Sequence, residues 1–246
     1  MTEQASVKGL VDINTRFGYN PRRGVMTRPE QVKRAGQRWG VVRAYTCSFT
    51  AMLFDCEYGN QQTLELCAQD DFFRPVAVAC PTGVWSPQDA ARARQQGFAM
   101  VRLFPEFHEY GIDSAACARL VEAYAEAGMP VMLPNAPGQT TALAHLLRGR
   151  EGSFILTNNT YHVMGALLAL ADSLPMVYVE VSGVFTADGL EVIADAFSVQ
   201  RMLWGSGYPG LNVGSSAMVL RGSGLAAEET ELVGWDNARR VLGDKR

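Results

Sequence analysis

The stretch AMVRLFPEFHEYGIDSAACARLVEAYAEAGMPVML, residues 99–133, decides the fold. It opens on an apolar run of strand length, 99–104, and passes through a polar loop to Asp113 or Ser114, either of which can cap a helix. That helix runs to Ala127 at helical period, and Gly128 ends it by supplying a left-handed residue. Met129 and Pro130 then restart an extended run through Leu133, because the residue before a proline is pushed out of the helical region. Strand, crossover helix and next strand make one unit of a parallel sheet.

The same alternation recurs on both sides. Strand candidates are 9–13, 40–46, 74–79, 99–104, 130–133, 153–157, 176–181 and 201–205. Helix candidates include 61–69, 141–147, 161–173, 187–197 and 226–242, with Thr27 and Glu30 read as a capping box and Ser86-Pro87 as a capped, φ-locked first turn. The Gly- and Ser-rich stretch 205–224 reads as a loop on the face formed by the strand C-termini. Eight units in 246 residues match the length of about 250 that a closed barrel needs. The expected fold is therefore α/β, a (β/α)8 TIM barrel forming one domain over 1–246. An open doubly wound sheet is the alternative; no Gly-x-Gly-x-x-Gly follows the first strand to favour it.

Composition narrows the function. Hydrophobic residues make up 48% and charged residues 19%, enough to build a core, and the net charge of -3 offers no basic surplus for nucleic acid. No apolar run reaches the roughly 20 residues of a membrane span, and the opening Met1-Thr2-Glu3-Gln4-Ala5-Ser6 lacks the features of a secretory signal, so a cytoplasmic location is expected. The five cysteines, Cys47, Cys56, Cys67, Cys80 and Cys117, lack Cys-x-x-Cys spacing and read as buried thiols, with a catalytic role at Cys47 or Cys80 as the alternative. A small molecule is the expected partner; a homo-oligomer is compatible with a compact barrel, although no interface is legible.

Several segments resemble the amidohydrolase-related family of metal-dependent barrel hydrolases and decarboxylases: Val11-Asp12-Ile13-Asn14-Thr15-Arg16-Phe17, Tyr110-Gly111-Ile112-Asp113, Gly128-Met129-Pro130-Val131-Met132-Leu133, Leu203-Trp204-Gly205-Ser206-Gly207-Tyr208-Pro209 and Asp236-Asn237-Ala238-Arg239-Arg240-Val241-Leu242. The resemblance implies a metal held by His-x-His on the first strand, by His or Lys after the fifth, by His after the sixth and by Asp after the eighth. Those positions hold Asn14 and Arg16, Pro134, Asn158 and Gly207. An arginine offers no lone pair and adds positive charge where a cation would sit, so neither metal nor other cofactor is expected. His145 and His162 fall in predicted helices, away from that cluster.

Barrel function lies at the strand C-termini. The residues expected there are Asp12, Asn14, Arg16, Ser48, Arg102, Glu106, His108, Asn135, Asn158, Glu180, Ser182 and Tyr208. Of these, Asn14, Arg16, Arg102, Asn135, Asn158 and Tyr208 are the substrate-binding candidates. Arg16 reads either as a fork for a ligand's carboxylate or phosphate, or as the partner of Asp12 or Glu180 in an internal ion pair. Arg102 has the same two readings, with strand alternation favouring internal pairing towards the helical layer. Glu180, inside an apolar strand, is either paired with Arg16 or Arg102 or is a base of raised pKa, and His108 is either a solvated loop residue or a catalytic one. Gly205-Ser206-Gly207 and Gly222-Ser223-Gly224 read as turns, with a phosphate loop as the alternative.

Two functions follow. One is an amidohydrolase-like, metal-independent hydrolase of a small carboxylated lactone, ester or amide, with Glu180 or His108 activating water. The other is a catalytically inactive barrel serving as a binding or assembly module.

Overall fold

The computed structural model describes residues 9–82 and 85–243. The reading of the first six residues as lacking a targeting signal lies outside them. The strands are β1 (Leu10–Asn20), β2 (Val25–Thr27), β3 (Val41–Ser48), β4 (Phe73–Ala79), β5 (Met100–Leu103), β6 (Val131–Pro134), β7 (Phe154–Thr157), β8 (Val177–Glu180) and β9 (Met202–Leu203). They form one sheet in the order β2-β1-β3-β4-β5-β6-β7-β8-β9. All neighbours are parallel except the β1–β2 hairpin. The sheet closes on itself: the amides of Ile13 and Arg16 donate to the carbonyls of Trp204 and Tyr208, both just beyond the last strand, at 3.3 and 3.0 Å. The chain folds as a (β/α)8 barrel, with β2 as an addition to the eight barrel strands.

Around it run α1 (Pro29–Gln37), α2 (Phe49–Leu53), α3 (Cys56–Gln69), α4 (Pro87–Gln95), α5 (Ala115–Glu126), α6 (Thr140–Leu147), α7 (Met164–Leu168), α8 (Gly189–Phe197), α9 (Val213–Arg221), α10 (Ala227–Glu231) and α11 (Asn237–Leu242). Among the described residues, no helix is long and apolar enough to cross a membrane. The unit read first from sequence folds as expected: the Ser114 hydroxyl accepts from the amide of Cys117 at 3.2 Å, and Gly128 ends the helix at φ +68°.

Four local readings change. The first helix starts at Pro29, not after Thr27. Proline at N1 sets the first turn, and the amide of Arg28 donates to Gln31 Oε1 at 2.7 Å, so the capping pair is shifted by one residue. The first strand continues to Asn20 because its far half pairs with β2. Within 205–224 stands α9, capped by the Asn212 side chain on the amide of Gly214 at 2.8 Å; Gly214 is required there because a Cβ would strike the indole of Trp39. Helix 161–173 is cut to a 3-10 turn and α7.

Two apolar layers follow from strand alternation. Val11, Ile13, Tyr45, Val76, Val78, Met100, Met132, Ile155 and Leu203 fill the inside of the barrel. Their strand neighbours, among them Ala44, Ala77, Val101, Leu103, Val131, Leu133, Leu156 and Val179, pack under the helices. At the C-terminal end the interior turns polar, and this polar layer is the functional candidate. Cys47 and Cys117 are buried as expected, whereas Cys56, Cys67 and Cys80 are only partly so.

Candidate functional site

Asn14 is the hub of the polar layer. Its register is set by an irregularity in the β1–β3 pairing between Asp12 and Thr15. The Asn14 Nδ2 donates to Glu180 Oε2 at 3.2 Å and to Ser182 Oγ at 3.3 Å, and its Oδ1 accepts from Arg102 Nη1 at 2.6 Å. Glu180 is held further by the amide of Ser182 on Oε1 and its hydroxyl on Oε2, both at 2.9 Å. Gly205 lets β9 come this close: a Cβ there would collide with the Glu180 carboxylate and stand 2.8 Å from the Cβ of Asn14.

Asp12 lies beside the hub and serves the backbone. Its Oδ1 accepts from the amides of Ser206, at 2.9 Å, and Asn14, at 3.1 Å. This occupies the amide that a phosphate loop at 205–207 would have offered. Arg16 is not ion-paired with Asp12 or Glu180 either: Nη2 donates to the carbonyl of Gly207 at 3.0 Å, the guanidinium lies 5.9 Å from the centre of the Phe49 ring, and Nε is buried without a partner. The Arg102 guanidinium stacks on Phe104 at 4.8 Å. Arg102 thus points into the barrel and not towards the helices, because it shares the face of Met100 on β5, and its bond partner is an amide in place of a carboxylate.

The electrostatics follow from burial. Glu180 is raised to about 7, mainly by desolvation; the bonds from Ser182 and the nearby Arg102 charge pull the other way. Burial raises Asp12 against the bonds from Ser206 and Asn14. Arg16 is lowered to about 10 by burial and by the like charge of Arg102, so it stays cationic at neutral pH. Burial lowers Arg102 too, with Cys47 and Glu180 opposing, and raises the Cys47 thiol, which leaves that sulfur protonated.

Two cavities open at this end and share Arg16 and Phe107. The inner one, about 50 Å³, is lined by Arg16, Arg102, Phe104, Glu106, Thr157 and Asn158 among others. The outer one, about 280 Å³, lies against the β1–β2 hairpin. Asn158 sits at φ +61°, a left-handed backbone that asparagine tolerates, and faces the inner cavity from the end of β7.

The sequence-derived candidates therefore divide. Asn14, Arg16, Arg102 and Glu180 come together, and Asn158 joins Arg16 and Arg102 on the cavity wall. Asn135 is fully buried and stands one residue removed from the hub, donating to Asn159 Oδ1 at 3.2 Å and accepting from Thr140 Oγ1 at 3.1 Å, while Asn159 Nδ2 donates to the carbonyl of Glu180 at 2.9 Å. Tyr208 packs against the helical layer. His108 rests between Phe104 and Tyr110, outside the cavity lining, and burial lowers its pKa. Sequence reasoning missed Thr157, Phe107, Arg22 and Arg23. The adjacent arginines after Pro21 were the one available signal.

Among the described residues, no three or more His, Cys, Asp or Glu side chains gather as metal ligands. Of solved structures, 2,6-dihydroxybenzoate decarboxylase from Rhizobium is similar at 13% identity and TM-score 0.75, covering 96% of this chain and 99% of that one. A candidate 2-pyrone-4,6-dicarboxylic acid hydrolase from Pseudomonas putida is similar at 15% identity and TM-score 0.75, covering 96% and 98%. The 5-carboxyvanillate decarboxylase of Novosphingobium aromaticivorans, with bound manganese, is similar at 12% identity and TM-score 0.74, covering 98% and 99%. No curated protein matches the chain by sequence. These likenesses establish the barrel, and the amidohydrolase family model matches residues 50–243, which is most of the chain; the protein belongs to the amidohydrolase family.

Proposed function

We propose that this amidohydrolase-family barrel binds a small carboxylate at its mouth through guanidinium groups, in a site that holds no divalent metal. The observation that carries the reading is that Arg16 and Arg102 both line the inner cavity with neither paired to a carboxylate. A desolvated guanidinium with an orphaned Nε favours an anion that brings its own acceptors.

The donor set does not fit a divalent cation. Both oxygens of Glu180 are occupied by donors, Asn14 Oδ1 already accepts from a guanidinium, and Asp12 Oδ1 accepts from two amides. A cation there would displace these bonds and face two positive charges. An inner volume of about 50 Å³ suits a carboxylate head, the size of a few waters, with the body of the ligand lying in the outer cavity.

The decisive experiment is a thermal-shift and calorimetric titration with benzoate. Binding by the wild type and its loss in Arg16→Ala support the reading; no binding, or equal binding by both, sinks it. A second reading, hydrolysis of a carboxylated lactone, ester or amide, is favoured by Glu180, whose pKa of about 7 suits proton transfer at neutral pH. Glu180 is fully buried and lies off the cavity wall, so it would act only if ligand entry parts Asn14 from it. Turnover of such a substrate abolished in Glu180→Gln is the result that reading requires; His108, outside the cavity, is the weaker base.

A further inference from the structure

Among the described residues, the outer cavity is lined by Arg16, Arg22 and Arg23 and by no acidic residue. Its walls include Phe49, Met52, Phe107 and Pro209, so cations stand over an apolar floor. The turn that carries Arg22 and Arg23 is held by hydrogen bonds. Asn20 and Pro21 open a tight turn in which the amide of Arg23 donates to the carbonyl of Asn20 at 3.2 Å, and the Asn20 side chain accepts from the amide of Arg22 at 3.1 Å. The Arg22 guanidinium stacks on Phe107 at 4.4 Å, and Phe107 is also a wall of the inner cavity. Arg23 is close enough to Arg16 for the two charges to repel.

Three like charges around one groove, with no acid among its described lining residues, constitute an electrostatic demand for an anion. The demand is not the one already assigned to the inner cavity, because Arg22 and Arg23 line the outer cavity alone and Arg102 the inner alone. We propose that the hairpin groove is a second anion subsite, and that the natural ligand is a dianion. One carboxylate lies between Arg16 and Arg102, a flat apolar body lies against Phe49, Phe107 and Pro209, and a second anionic group lies on Arg22 and Arg23.

This rests on the carboxylate-binding reading above, and the test separates the two. Benzoate and its dianionic counterpart isophthalate are titrated at low ionic strength into the wild type, Arg22→Ala/Arg23→Ala and the control Arg119→Ala/Arg148→Ala, whose residues are exposed on the helical layer. An added charge-assisted contact predicts isophthalate to bind about tenfold tighter than benzoate in the wild type and control, with the ratio falling to about one in the hairpin variant. A ratio near one in the wild type, a ratio that survives in the hairpin variant, or the same loss in the control overturns the subsite. Isophthalate binding that depends on the hairpin arginines while benzoate fails to bind supports the subsite and overturns the single-carboxylate reading. Binding of neither overturns both. The hairpin arginines are exposed, and unchanged melting of the unliganded variant confirms that it is folded.

Discussion

Arg102 and Asn14 are 88 residues apart in the chain, yet Arg102 Nη1 donates to Asn14 Oδ1 at 2.6 Å inside the barrel. This bond ties β5 to β1 across the barrel interior. It also orients the Asn14 amide so that its Nδ2 faces Glu180 and Ser182.

Removing that acceptor is expected to be costly. Asn14→Ala leaves a buried guanidinium and a buried carboxylate each short of a partner, so stability should fall by about 1.5–3 kcal/mol, the range for hydrogen bonds to charged groups. The urea midpoint of unfolding measures this; a change below about 0.5 kcal/mol, typical of a surface position, would mean that the network is not formed.

The Glu180 carboxyl is expected to contribute stability that falls as pH rises. Its folded pKa of about 7 stands above its ordinary value of 4.5, so between these pH values the folded state holds a proton that the unfolded chain has released. The contribution is complete below about pH 4.5 and is lost as pH climbs through about 7, on the order of 3 kcal/mol in all. Glu180→Gln lacks this titration. The wild-type minus variant difference in unfolding free energy, measured from pH 4.5 to 8, should slope downwards with rising pH, and a flat or rising difference contradicts the assignment.

Arg16 should trade stability for binding. Its guanidinium is desolvated, pressed by the charge of Arg102 and unsatisfied at Nε. Arg16→Met keeps much of the side-chain volume and removes the buried charge, which is expected to raise stability by on the order of 1 kcal/mol while abolishing benzoate binding. Calorimetry and urea unfolding on the same samples provide both readings; a destabilised variant that still binds would contradict the proposed role.

Gly205→Ala probes the packing behind the site. The added methyl would meet the Glu180 carboxylate and the Cβ of Asn14, and overpacking of this kind costs about 1–3 kcal/mol. A melting temperature equal to wild type would show that the approach of β9 to β1 and β8 is looser than described.

Metal content offers a direct check. Protein expressed and purified with added zinc or manganese should carry well under one equivalent, and a chelator should leave its melting temperature unchanged. A stoichiometric ion whose removal lowers the melting temperature would refute the metal-free reading.

What the sequence determined by itself is what depends on neighbours along the chain. Strand and helix periods, a cap at Asp113 or Ser114 and the Gly128 stop were legible, because side-chain spacing and cap chemistry are local. Tertiary structure alone decided which residues meet. Arg102 faces inward, Asn135 turns to Asn159 and Thr140, Tyr208 packs outside, and Arg22 and Arg23 come back beside Arg16. Alternation along a strand narrows a side chain to two faces, but its partners are set by how the strands stagger when β9 closes onto β1 and by the irregular register between Asp12 and Thr15. Closure is a property of the whole barrel, so no single segment carries it.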